Sequence, residues 1–78
     1  MDTSVAAQEC RQFISKIAKL PSDDPAETKD HLHFMIDQIA SGQVSGEKSH
    51  RWLGYLQGII VAGGGATLEE MKKTNVLA

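Results

Sequence analysis

The chain has 78 residues, ten of them acidic and eight basic, for a formal charge of −2 at neutral pH. That length predicts one domain, and such a chain buries only roughly 60% of its unfolded surface, so association is a common source of added stability. The charge balance excludes the basic face and high pI of a free-standing duplex-DNA binder. Cys10 is the only cysteine, which excludes an internal disulfide and a Cys-rich zinc site and fits a reducing cytosol. The opening MDTSVAAQE has no basic region followed by an apolar one, so no signal peptide is expected. The longest apolar run, Ile59 to Ala62, is far too short to cross a bilayer. A cytoplasmic protein is expected, without membrane, metal or cofactor.

Alternation of apolar and polar residues, the mark of a strand, is nearly absent. Helical periodicity predicts a first helix from about Thr3 to Leu20. Its stripe is Ala6, Cys10, Phe13, Ile14 and Ile17. Thr3 or Ser4 is expected to cap it, and Pro21 ends it by disfavouring helical geometry at Leu20. The second helix is predicted to start at Asp24 as N-cap, with Pro25 and Glu27 in its first turn. Its stripe is Leu32, Met35, Ile36 and Ile39, and Gly42 ends it in the left-handed conformation.

Gln43 and Val44 read as a turn, and Ser45 as the cap of a third helix that reaches about Ala62. Its stripe is Trp52, Leu53, Leu56, Ile59 and Ile60. Gly63-Gly64-Gly65 breaks it. This run is no phosphate loop, because it follows a helix and lacks the Gly-Lys-Ser/Thr ending. It reads as a flexible joint. Thr67-Leu68-Glu69-Glu70 is a capping box that opens a helix of about two turns. Leu68 and Met71 are expected to face inward, and Asn75 to Ala78 to fray. The expected fold is all-α: an antiparallel hairpin of the second and third helices, an N-terminal helix packed across its groove, and a short capped C-terminal helix.

At 100° per residue, the third helix has a second face. Glu47, Arg51, Gly54, Gly58 and Val61 lie opposite the apolar stripe. Gly54 and Gly58 make a flat notch, and each costs up to ~1 kcal/mol against Ala inside a helix. One reading is a contact surface flanked by Arg51, Tyr55 and Val61. The others are tolerated surface glycine, or a site where the chain's own first helix crosses. Phe34 points away from the stripe of the second helix, among Asp30, Asp37, Gln38 and Ser41. It reads as an interface anchor, as an incidental exposed ring, or as a ring covered by the first helix or the C-terminal segment.

His31 and His33 are two positions apart and face different ways on a helix, a poor spacing for one metal ion. His50 and Arg51, near the start of the third helix, are candidates for anion contact; the alternative is two solvated side chains. The acidic group Asp23, Asp24, Glu27 and Asp30 suits mimicry of nucleic acid, docking on a basic partner, or a plain solvated face. No nucleophile has a base beside it, and Cys10 sits in an apolar stripe, so an enzyme is not expected.

The turn Gly42-Gln43-Val44-Ser45-Gly46-Glu47-Lys48 is followed by His50-Arg51-Trp52-Leu53-Gly54, Gln57-Gly58 and Thr67-Leu68-Glu69-Glu70. This pattern, spanning about Leu32 to Asn75, resembles small accessory proteins of tailed phages and enterobacterial prophages. The first helix lies outside the resemblance, and no activity or functional residue comes with it. What it implies is a class: small phage proteins that bind and alter a host enzyme, transcription factor or defence system.

Three functions follow as expectations. The first is a homo-oligomeric interaction module that binds, and modulates by inhibition, a host protein. The second is an oligomer that sequesters a small nucleotide between subunits, using His50, Arg51 and the Gly63–Gly65 joint. The third is a DNA-associated regulator that gathers Lys48 and Arg51 on dimerisation. It is the weakest on chemistry, because a recognition helix with two glycines and few polar side chains past Arg51 reads bases poorly.

Overall fold

The apolar stripes fold as four helices in a computed structural model that describes residues 1–20 and 28–78: α1 (Thr3–Ile14), α2 (Lys29–Ala40), α3 (Gly46–Ala62) and α4 (Leu68–Leu77). No strand occurs among the described residues. The expected all-α fold is the one found. The stripes of α1 and α2 enter one buried cluster complete, joined by Leu53, Leu56, Ile59 and Ile60 of α3 and by Met71 of α4. Both α1 and α3 meet each of the other three helices, and α2 and α4 flank that central pair. The α2–α3 hairpin is therefore not the dominant unit, since α2 packs more extensively on α1 than on α3.

Several boundaries differ from the sequence-based expectation. Asp2, not Thr3 or Ser4, caps α1. Its carboxylate accepts bonds from the Ser4 hydroxyl at 2.6 Å and from the backbone N–H groups of Ser4 at 2.9 Å and Val5 at 3.4 Å. These bonds, that of the Ser4 hydroxyl first, hold the Asp2 carboxyl below its ordinary range. The helix also stops at Ile14 rather than Leu20. The chain turns at Ser15 and Lys16, and the N–H groups of Ala18 and Lys19 donate to the carbonyl of Gly63 at 2.9 and 3.4 Å. Backbone bonds to a distant segment replace those that further helical turns would have made.

α2 begins at Lys29, capped by the Thr28 hydroxyl, which accepts from His31 N–H at 3.1 Å. The expected start signals Asp24, Pro25 and Glu27 lie outside the described residues. Gly42 turns the chain at φ +82°, as expected, and the N–H of Val44 reaches back to the Gln38 carbonyl at 3.0 Å. That bond seats Val44 in the core, 6% exposed, although the sequence placed it in a turn.

α3 runs to Ala62 as expected, but Ser45 occupies its cap position without a side-chain bond. Gly64, at φ +79°, ends the helix in a Schellman motif. Gly65 N–H bonds the Ile60 carbonyl at 2.8 Å, and Gly64 N–H that of Val61 at 3.1 Å. The joint is tightly packed rather than loose. A Cβ at Gly63 would lie 2.6 Å from the Lys19 carbonyl oxygen, and one at Gly65 2.7 Å from that of Phe13, with Ile17 close to both.

α4 carries the expected capping box between Thr67 and Glu70. Met71 is buried, but Leu68 is exposed, correcting its inward assignment. Nor does the C-terminal stretch fray. Asn75 exchanges amide hydrogen bonds with Gln57 at 2.7 and 3.1 Å, and the Ala78 carbonyl accepts from Asp2 N–H at 3.1 Å.

Candidate functional site: the outer face of α3

The buried side of α3 is fixed by Ser49, Leu53, Leu56, Ile59 and Ile60. Ser49 donates to the Gly46 carbonyl at 2.7 Å, which leaves its oxygen to accept from the Thr3 hydroxyl at 3.0 Å. Gln57 ties α3 to both α4 and α1. Its amide donates to Asn75 and, at 3.6 Å, to the Cys10 sulfur. Burial pushes the Cys10 thiol above its ordinary range against the opposing pull of that bond, so the sulfur stays protonated and is a poor nucleophile. These contacts set the rotation of α3, and so determine what its opposite face shows.

The opposite face shows Arg51, Gly54, Tyr55, Gly58 and Ala62, all exposed. Among the described residues, nothing lies within 4 Å of where a Cβ would stand on Gly54 or Gly58. α1 therefore does not cross there, which removes one of the explanations left open by the sequence. The small residues Gly54, Gly58 and Ala62, four apart, form a smooth ridge line down the helix.

An open depression of about 370 Å³ lies on each side of this ridge. On the α2 side, His31, Met35, Arg51, Trp52 and Tyr55 line a cleft. On the α4 side, Gln57, Val61, Leu68 and Met71 wall a groove whose inner edge is Gly54 and Gly58. Val61 is half-buried and packs on the core, so it belongs to the groove wall more than to the exposed ridge. Trp52 is likewise half-buried at the rim of the core, with the Lys48 ammonium 5.3 Å above its ring.

Phe34 is 49% exposed and stacks on His31, with ring centroids 5.7 Å apart, so neither α1 nor α4 covers it. His50 is exposed and lines neither depression; Arg51 enters the α2-side cleft without it. His33 does other work. Arg11 of α1 donates to its Nδ1 at 3.1 Å and to the Asp37 carboxylate at 2.6 Å, clamping α1 to α2. Sequence reasoning missed that clamp and the Gln57–Asn75 pair, since both join residues that only the tertiary fold brings together. Among the described residues, no three His, Cys, Asp or Glu side chains gather as a metal site would require, and no helix is long and apolar enough to cross a membrane.

Taken together, these features define a small all-α protein whose most distinctive surface is a glycine-smoothed helix face between two apolar-walled depressions. Comparison with protein-family models, curated proteins and solved structures finds no match for the chain.

Proposed function

We propose that the chain is a protein-interaction module that pairs with a second copy of itself through the outer face of α3 and, as that oligomer, binds and inhibits a host protein. The observation that carries the self-association is the open space at Gly54 and Gly58. Each glycine costs helix stability, up to ~1 kcal/mol, and none of the described residues takes up the room it leaves. A partner helix laid along Gly54, Gly58 and Ala62 would use that room for close backbone approach. Its side chains would drop into the groove walled by Val61 and Leu68. Small size and a thin stability margin favour association further. The host target rests on the resemblance to phage accessory proteins, whose class acts in that way.

The test is the double variant Gly54→Leu, Gly58→Leu. Space around both positions lets the isolated chain accept the larger side chains. Light scattering is expected to show the parent as a dimer or larger and the variant as a monomer, with unchanged helical circular dichroism. A monomeric parent, or a variant that keeps the parent's mass, overturns self-association through this face. Capture of the same host protein by the parent and not by the variant is the expected result for the second half of the reading.

A further inference from the structure

Among three depressions lined by described residues, the charged residues divide unevenly. The α1–α4 cleft mixes Glu9 and Glu70 with Lys73. No charged side chain among the described residues lines the α3–α4 groove. The α2–α3 cleft combines three rings, those of His31, Trp52 and Tyr55, with the guanidinium of Arg51, and no carboxylate lines it among the described residues.

We propose that the α2–α3 cleft binds a free nucleotide, a flat ring system bearing a negative charge. Ring faces stack on a planar heterocycle whatever its hydrogen-bonding edge. An arginine beside them matches a phosphate bidentately. Lys48, whose ammonium stands 5.3 Å over the Trp52 ring, adds a second cation beside that lining residue. Phe34, stacked on His31, extends the aromatic wall outward. Met35 is 5% exposed and closes the floor. The lining residues sit on two packed helices, which fixes the spacing of their Cα positions before any ligand arrives. A volume of about 370 Å³ lies within the ordinary range of small-molecule sites. The net charge of −2 favours a free nucleotide over a nucleic-acid strand, because a strand's repeated phosphates need a wide basic surface.

This site differs from a nucleotide site built on His50 and the glycine joint. His50 lies outside the cleft, and the N–H groups of Gly63, Gly64 and Gly65 already donate to the carbonyls of Ile59, Val61 and Ile60. Every described residue that lines the cleft belongs to one chain, so nucleotide binding is tested separately from self-association.

Trp52 is the only tryptophan, so its emission reports directly on the cleft. The full chain is titrated with AMP, GMP, CMP and UMP, with calorimetry as a second readout. Saturable binding of at least one of them is expected, with Kd below about 1 mM. Arg51→Gln and Tyr55→Ala are expected to weaken it about tenfold each while leaving the helical circular dichroism unchanged. For the nucleotide that binds, the parent nucleoside and inorganic phosphate, each carrying half of the chemistry, bind about tenfold less tightly or worse. No saturable binding of any nucleotide by either readout overturns the proposal. So does binding that both variants leave unchanged, or a marked preference for a short single-stranded oligonucleotide, which would make the ligand a strand.

Discussion

α3 and its C-terminal joint hold two pairs of glycines that look alike in the sequence and answer to opposite causes. At Gly63 and Gly65 the missing side chains are occupied by the chain itself, with carbonyl oxygens of Lys19 and Phe13 at 2.6 and 2.7 Å from the absent Cβ positions. At Gly54 and Gly58 nothing arrives within 4 Å. The first pair is explained by the fold of one chain. The second is not, and a cost without an internal return points outside the chain.

The largest expected effect comes from the inner pair. Gly63→Ala or Gly65→Ala sets a methyl against backbone that cannot swing aside, so each is expected to lower unfolding free energy by about 3 kcal/mol. In thermal denaturation that is a fall of roughly 10 °C or more. An unchanged midpoint would break the contrast at its root. Alanine at the outer pair should act with the opposite sign. Gly54→Ala with Gly58→Ala is expected to raise the stability of the monomer by up to about 2 kcal/mol in urea denaturation, through helix propensity alone. Destabilisation instead would mean that the ridge is covered from within. A smaller effect sharpens which neighbour matters. Adding Ile17→Ala, which removes the Cγ1 that stands 2.9 Å from the Gly65 Cβ position, to Gly65→Ala is expected to recover less than about 1 kcal/mol, because the Phe13 carbonyl at 2.7 Å remains. Full recovery in the same denaturation assay would assign the tight fit to the side chain.

Local rules carried the sequence reading wherever local rules decide the outcome. The stripes of α1 and α2, the left-handed Gly42, the end of α3 at Ala62 and the Thr67 capping box follow from periodicity and turn chemistry between residues a few positions apart. The reading failed where a distant segment intervenes. Ile17 keeps the spacing of the α1 stripe and is buried as that spacing demands, yet it is not helical, because Gly63 draws the backbone away. Leu68 satisfies the pattern of an inward residue, but α4 meets the core through Met71. The outer face was legible as a helical wheel, whereas the aromatic cleft was not. His31 and Arg51 belong to different helices, and no spacing along the chain shows that they share a wall.

The strap from Ile17 to Leu20 also constrains the order in which the chain folds. Its anchors, Gly63 and Gly65, belong to the far end of the chain, as do the contacts that Thr3 and Cys10 make across 46 and 47 positions. Loop-closure entropy must be lost before such contacts return anything. During synthesis, α1 and α2 can gather on each other as soon as both have emerged. The N-terminal strap must wait until α3 is complete and its glycines are clear of the ribosome. Until then the Ile17 side chain has no seat, and the latch closes from a segment made earlier onto one made later.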